Sequence, residues 1–358
     1  MLTPWLASPT SAENLFADLE EDASMATLNR MVTLAARPAG AIKTSDFRIA
    51  EAPLAEPGPS EMLVRITHIS LDPAMRGWVS DGKSYVPPVQ IGETMRAFSV
   101  GVVEVSDNPA FKPGAGITGM MGAQSHLVTN GKGLAKCDLA LAPAERWIGG
   151  LGMPGMTAYF GLLEVGQPKA GETVVVSAAS GAVGGIVGQI ARIKGCRAVG
   201  IAGGADKCNF VVKELGFDAC VDYKAPDLHK QLRTACPNGI DVNFENVGGD
   251  IMDTVLAQMN LKGRVAVCGL ISGYNATEVP PGPKNFRAIL VNRLRVQGLI
   301  VTDWVNRWPE GVAELVKWNK EGKLKFKEDV RAGGLDKFAE TLSLLSTGGN
   351  FGKLVLKV

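Results

Sequence analysis

Histidine is nearly absent from this chain of 358 residues, which holds only His68, His126 and His229. A catalytic zinc takes three Cys, His or carboxylate ligands and keeps a fourth position open. So few histidines leave little to build one from, and His68 alternates with apolar neighbours as a structural strand residue does. The six cysteines (Cys137, Cys196, Cys208, Cys220, Cys236, Cys268) form no Cys-x-x-Cys pair, and several sit inside apolar runs. That speaks against a disulfide framework or a four-cysteine zinc lobe, and for reduced core thiols. No apolar run reaches the ~18 residues of a membrane span, so no membrane partner is expected. Neither sign of charge dominates: 37 basic and 36 acidic residues leave a net charge of +1. No nucleic acid or other polyanion is implied. The first residues carry no basic segment before their short apolar stretch, so no secretory leader is read and the cytoplasm is the expected compartment.

What is present is a large apolar fraction, 46%, on a length that suits two domains. Residues 1–28 read as an extension, with Pro4, Pro9, an acidic patch from Asp18 to Asp22 and at most a short helix over Ala12 to Leu19. Met25 and Met31 are alternative starts, and the extension is expected to be dispensable for cofactor binding and turnover. From 29 to 150 short β-rich runs recur (Met31–Leu34, Phe47–Ala50, Met62–Ser70, Ser99–Ser106, His126–Val128), broken by turns such as Glu56-Pro57-Gly58-Pro59. That spacing predicts a small, irregular barrel.

The texture changes at 151. Strands expected at Thr173–Ser177, Arg197–Ala202, Ala219–Asp222, Asp241–Glu245, Arg264–Gly269 and Arg295–Val301 alternate with helices, for example Asp206–Leu215 and Gly249–Leu256, up to about 325. This is the α/β pattern of a doubly wound parallel sheet, the Rossmann arrangement, which binds ligands at the carboxyl ends of its strands. The tail, 326–358, carries a helix at Leu335–Leu345 and a strand at Leu354–Lys357, and is expected to return to the first domain.

One stretch organises the rest: Val174-Val175-Val176-Ser177-Ala178-Ala179-Ser180-Gly181-Ala182-Val183-Gly184-Gly185. It reads as strand, tight turn, helix, with Ala179, Gly181 and Gly184 where a dinucleotide-binding turn has its three glycines. Small residues let the backbone approach a pyrophosphate, and the helix N-terminus offers unpaired N–H groups. The same residues also suit a turn that merely packs a helix on a strand. An NAD site usually carries Asp or Glu at the end of the second strand, roughly 20 residues beyond the turn. Here that strand ends Ala202-Gly203-Gly204, with Lys207 following and Tyr223 at the end of the third strand. A missing carboxylate beside a cation is what a 2′-phosphate needs, so NADPH is the expected cofactor. Asp206, beside Lys207, counts against this, although a place in a helix's first turn also explains an acid there.

Several longer stretches carry a resemblance. They are Leu71-Asp72-Pro73-Ala74-Met75-Arg76, Gly152-Met153-Pro154-Gly155-Met156-Thr157-Ala158-Tyr159, the glycine turn, Glu245-Asn246-Val247-Gly248-Gly249, Cys268-Gly269-Leu270-Ile271-Ser272-Gly273-Tyr274-Asn275 and Asn350-Phe351-Gly352-Lys353. From about residue 29 onward the chain resembles the zinc-free medium-chain dehydrogenases/reductases, in the branch of the prostaglandin and double-bond reductases.

The resemblance implies a GroES-like catalytic domain at 29–150, an NADP-binding Rossmann domain at 151–325 and a homodimer. It places Met153 and Thr157 by the nicotinamide or diphosphate, and Ala182 and Val183 on the diphosphate. Lys207 and Tyr223 take the 2′-phosphate end, and Asn246 and Val247 the ribose region. Cys268, Gly269 and Ser272 back the nicotinamide, Asn350 bonds near it, and Tyr274 takes part in the reaction. No metal ligand is implied, since Ser70-Leu71-Asp72 lacks a ligand cysteine. Two departures concern the substrate. Ala74 stands where the family usually has Tyr, and Gly114-Ala115-Gly116-Ile117 replaces a Gly-Asp-x-Val pattern.

The expected reaction is NADPH-dependent reduction of the C=C bond of α,β-unsaturated ketones and aldehydes, and Ala74 should admit large aryl enones such as diarylheptanoids. A quinone reductase shares the fold and cofactor. A non-catalytic NADPH-binding sensor or scaffold is the alternative of another class, and Tyr274 with Asn350 argues against it.

Overall fold

A computed structural model describes residues 28–358; the expected N-terminal helix and extension lie outside the described residues. In the first half, β1 (Leu28–Leu34) and β2 (Phe47–Pro53) form an antiparallel hairpin. Next come β3 (Met62–Ser70), the short helix α1 (Ala74–Trp78), β4 (Phe98–Ser106), β5 (Gly116–Met120), β6 (His126–Thr129) and β7 (Ala135–Lys136). Met62, Val64, Ile66 and Ile69 of β3 join a core with Val32, Met95, Val103 and Ile117, and its β-branched residues suit that pleated, half-buried surface. β5 and β7 were not expected from sequence. Gly116 and Gly119 interrupt the apolar pattern of β5, and a Cβ at Gly116 would lie 2.6 Å from the Cys137 carbonyl. Glycine there permits close strand approach, which hides the strand from a pattern search.

The second half holds α2 (Ala144–Trp147), α3 (Met153–Phe160), β8 (Thr173–Ser177), α4 (Gly184–Ile193), β9 (Arg197–Ala202), α5 (Ala205–Lys213), β10 (Ala219–Asp222) and α6 (Leu228–Ala235). They are followed by β11 (Ile240–Glu245), α7 (Gly249–Leu256), β12 (Met259–Val267), α8 (Arg287–Val291), β13 (Arg295–Gly298) and α9 (Trp308–Lys320). Strands β8 to β13 form one parallel sheet in the order β10-β9-β8-β11-β12-β13, the doubly wound order expected. All of β8 is buried, as a central parallel strand must be. Its residues alternate between two cores: Val174 and Val176 join one with Phe160, Ile190 and Leu315, while Val175 joins the other with Ile201, Leu232 and Val255. β12 starts earlier and stops sooner than its expected 264–269, and β13 ends at Gly298, where the chain turns into a helical segment at Val301–Arg307.

The tail supplies β14 (Glu328–Arg331), α10 (Phe338–Thr347) and β15 (Lys353–Lys357). β15 pairs antiparallel with β3, so the chain end lies in the first sheet. β14 has a charged sequence without alternation, and its parallel ladder to β15 is what makes it a strand. Lys353, 2% exposed, donates to Asp72 Oδ1 and to the Leu71 carbonyl, each at 2.7 Å, and Ser70 also bonds Asp72.

That pair makes a stability prediction. Lys353→Met alone strands a buried carboxylate and should lower urea-measured stability by about 3–5 kcal/mol. Adding Asp72→Leu should recover most of the loss, because a hydrophobic pair replaces an ion pair with little net change. A double variant no better than the single one would refute this account.

Candidate active site

The turn after β8 is shaped by its small residues. Ala178 adopts a left-handed backbone (φ 51°), and its carbonyl accepts the Gly181 N–H at 2.9 Å. A Cβ on Gly184 would fall 2.4 Å from that same carbonyl, so only glycine lets α4 start this close to the strand. Ala179 is the departure from an all-glycine turn, and the structure accommodates it: its Cβ faces Gly200 on β9, where any added Cβ would come within 2.7 Å. The turn and the neighbouring strand thus share the missing volume. No side chain caps α4. A small crevice of about 20 Å³, lined by Ser180, Gly181, Ala182, Lys327 and Gly352 among others, opens on the turn; Tyr274 does not line it.

At the tip of β9 the chain presents Gly203 and Gly204. The Tyr223 ring lies against Gly203, where a Cβ would meet it at 2.8 Å. The nearby acid, Asp222, has Oδ1 occupied by the N–H groups of Gly204 and Lys224. Lys207 donates to the Gly348 carbonyl at 2.7 Å and lies over the Phe351 ring, 5.3 Å from its centre. Burial lowers its pKa, and the adjacent Lys224 lowers it further. Two cations and an aromatic ring therefore gather at the end of β9 and β10. Lys224 was not singled out from sequence; its position directly after Tyr223 was the available signal.

Glu245, fully buried at the end of β11, organises the opposite side. It accepts from Ser177 Oγ and the Val247 N–H at 2.7 Å, from the Gly248 N–H at 2.9 Å and from Asn243 Nδ2 at 2.9 Å. Asn246 donates through its backbone N–H to Ser177 Oγ and through Nδ2 to the Ser177 carbonyl. Ser272 bonds the Val247 carbonyl through both its N–H and its hydroxyl. The N–H groups of Cys268 and Gly269 reach the Glu245 carbonyl. Asn246, Val247, Cys268, Gly269 and Ser272 thus form one hydrogen-bonded cluster at the carboxyl end of the sheet.

Tyr274 joins that cluster. Its oxygen accepts the Leu270 N–H at 3.3 Å and lies over Gly269. Among the described residues no acceptor takes the phenolic hydrogen. Burial raises the phenol's pKa against the Leu270 bond, and Cys268 and Tyr85 raise it further. The Cys268 thiol is itself pushed up to about 12, by burial first and Glu245 second. Both groups keep their protons near neutral pH. Tyr85 comes from the first half of the chain, where its oxygen accepts the Trp78 indole N–H at 3.2 Å. Sequence reading passed over Tyr85 and Trp78, which no motif marks.

The segment Gly348 to Gly352 spans these groups. Asn350 Nδ2 donates to the Gly352 carbonyl at 3.0 Å, and the Gly352 N–H to the Ser180 carbonyl at 2.9 Å. Met153 and Thr157 stand apart on α3, where the Thr157 hydroxyl donates to the Met153 carbonyl at 2.7 Å. Among the described residues no hydrogen bond links their side chains to the strand-tip cluster. Ala74 opens α1, partly buried against the core of the first half. Among the described residues no three His, Cys, Asp or Glu side chains converge as a ligand set.

Residues 30–137 match a family model described as the N-terminal domain of oxidoreductase, and residues 182–318 one described as zinc-binding dehydrogenase. The NADPH-dependent curcumin reductase of Escherichia coli K12 is 46% identical over 92% of this chain and 97% of its own length. The 2-alkenal reductase (NADP(+)-dependent) of Nicotiana tabacum is 39% identical over 92% of this chain and 97% of its own. The crystal structure of CurA in complex with NADPH from Vibrio vulnificus superposes with a TM-score of 0.88 at 43% identity, covering 92% of this chain and 99% of that one. The chain belongs to the medium-chain dehydrogenase/reductase family, in the branch of the NADPH-dependent double-bond reductases.

Proposed function

We propose that this chain reduces the C=C bond of α,β-unsaturated ketones and aldehydes with NADPH, and that it does so without zinc. The observation that carries the reading is Tyr274, a phenol kept protonated with its hydrogen free, beside Cys268 and Gly269 at the carboxyl end of the parallel sheet. Ligands bind at that end of such sheets. The relatives named for NADPH-dependent reduction of curcumin and for 2-alkenals support the same chemistry.

The residues fit the cofactor. The Ala179, Gly181 and Gly184 turn leaves room for a diphosphate at Ala182 and Val183. The tip of β9 carries no free carboxylate, while Lys207, Lys224 and Tyr223 suit a 2′-phosphate. Asn246 and Val247 are placed for the ribose, and Cys268, Gly269, Ser272 and Asn350 for the nicotinamide side. Met153 and Thr157 are assigned to the same end, on the family's pattern. NADPH, when bound, supplies the hydride that adds to the β-carbon of the enone. Negative charge then builds on the carbonyl oxygen, and Tyr274 donates its hydrogen bond there. One such donor lowers a barrier by about 3–4 kcal/mol in other systems. The α-carbon takes its proton from Tyr274 or from water. A polarising metal is not required by this chemistry.

We also place the chain in the cytoplasm as a homodimer. Its cysteines are free, and no described helix is long and apolar enough to cross a membrane. Support for the dimer is the edge strand β13, exposed throughout, with Leu261, Phe286, Leu290 and Val291 exposed around it. Such an edge invites pairing with a second copy. Sedimentation should give twice the chain mass, and Leu290→Glu with Val296→Lys should shift it to monomer. A monomeric unmodified protein would end the dimer reading.

Lys207→Ala removes a charge-assisted contact of about 1.5–3 kcal/mol, so the KM for NADPH should rise about tenfold or more. The KM for NADH should barely move, and equal use of both cofactors by the unmodified protein would contradict the assignment.

Tyr274→Phe should cut turnover roughly tenfold or more, at least ~1.4 kcal/mol of transition-state stabilisation, with NADPH binding nearly unchanged. Product analysis of an aryl enone should show the saturated ketone, and chelator should leave the rate intact. An allylic alcohol, or activity lost on chelation and restored by zinc, would overturn the mechanism.

A further inference from the structure

Cys208 and Cys220 are the one cysteine pair in contact among the described residues. Cys208 lies in the first turn of α5 and Cys220 in β10, and the Cys220 thiol donates to the Cys208 sulfur with the sulfurs 3.0 Å apart. A disulfide needs a separation of about 2.05 Å, so bond formation asks the two sulfurs to approach by about one ångström. Both residues are half-buried. They also sit directly behind the proposed 2′-phosphate end: Cys208 follows Lys207, and Tyr223 comes shortly after Cys220 on the same strand and turn.

We propose that Cys208 and Cys220 are a modification site, forming a reversible disulfide on exposure to a peroxide and thereby weakening the hold of α5 and β10 on NADPH. The bond itself is independent of the functional assignment; its effect on the cofactor rests on the reading of Lys207 and Tyr223 as 2′-phosphate residues.

The roles of the two sulfurs differ. Burial raises the Cys208 thiol, but the hydrogen bond from Cys220 works against that rise. Cys220 is pushed up strongly, first by burial and then by Cys208. The Cys220 thiol donates to the Cys208 sulfur and so favours the Cys208 thiolate, which makes Cys208 the attacking sulfur and Cys220 the resolving one. The Cys208 sulfur attacks a peroxide oxygen, the O–O bond breaks, and hydroxide leaves and takes up the thiol proton as water. Cys208 is then a sulfenic acid. The Cys220 sulfur displaces its hydroxyl, which departs as a second water with the Cys220 proton. Two thiols and one hydrogen peroxide become one disulfide and two waters; the protein gives up two electrons, which the peroxide takes. A dithiol reverses the bond by exchange. Whatever part of that approach the backbone of α5 and β10 takes up shifts Lys207 relative to Tyr223, and a charge-assisted contact is sensitive to such a shift.

The test uses the full chain with hydrogen peroxide. Digestion without reductant should yield a Cys208–Cys220 cross-linked peptide, absent from Cys208→Ser and from Cys220→Ser and lost after dithiothreitol. By fluorescence titration the oxidised protein should bind NADPH roughly threefold or more weakly, with NADH affected less and dithiothreitol restoring the original affinity. Peroxide should leave NADPH binding by Cys208→Ser as it was before treatment. Oxidation of either thiol to sulfinic acid without a cross-link would overturn the site. A cross-link with unchanged NADPH affinity would overturn the coupling. In that event a parallel titration of Lys207→Ala separates the causes: weakened binding leaves the 2′-phosphate assignment standing, and unchanged binding shows that it too has failed.

Discussion

The catalytic end of the parallel sheet depends on one buried carboxylate. Glu245 stands at the end of β11, beside β8, where the strand order β10-β9-β8-β11-β12-β13 changes direction. At such a switch point the loops diverge and leave a crevice for a ligand. A fully buried carboxylate is costly unless it is bonded on every side, and Glu245 is: Ser177, Asn243, Val247 and Gly248 all donate to it. Those four bonds tie the end of β8 to the loop after β11 and so present Asn246 and Val247. The Glu245 main-chain carbonyl holds the Cys268 and Gly269 N–H groups in the next loop. Tyr274 then rests on Gly269. The position of the proposed acid is thus two contacts removed from Glu245, through its main-chain carbonyl and Gly269.

A second buried charge joins the two halves. The Lys353–Asp72 pair locks β15 to the loop between β3 and α1, and the residue before it, Gly352, bonds Ser180 in the glycine turn. One short segment therefore belongs to both sheets. Burial lowers the Lys353 pKa while Asp72 opposes that shift, so the ammonium is worth having there only with its partner in place. A φ of 69° at Gly352 and a Cβ position 2.1 Å from the Lys327 carbonyl show why the segment needs glycine beside that lysine.

The parallel sheet was legible because its strands read as buried apolar runs and its turns as small residues. β8, β9 and β10 lie where those runs predict, and α7 likewise. β5 and β14 were not, because glycine in one and charge in the other break the apolar alternation that marks a strand; pairing with neighbours distant in sequence makes them strands. The site divides in the same way. Short motifs hold the groups around the glycine turn, the β9 tip and the loop to Tyr274. Glu245 was visible only as part of a motif, and nothing local says that its carboxylate is buried and fourfold bonded. Lys224 and Tyr85 act through position, which no window of sequence contains.

This asymmetry follows from the chemistry. A dinucleotide is a fixed ligand, so the residues facing it come from consecutive turns at strand ends and leave motifs. Around the proposed acid the two halves meet, and there the wall is assembled from single side chains. Trp78 donates its indole N–H to Tyr85, and Tyr85 comes near enough to Tyr274 to raise its pKa. The parallel sheet thus supplies the proposed proton donor, while the first half supplies side chains around it. Ala74 lies one helical turn before Trp78 on α1, so a small side chain there removes bulk from the element that positions that wall. On the proposed reading, reaction type and substrate choice rest on different halves of the molecule, and the second can change while the Glu245 network around Tyr274 stays intact.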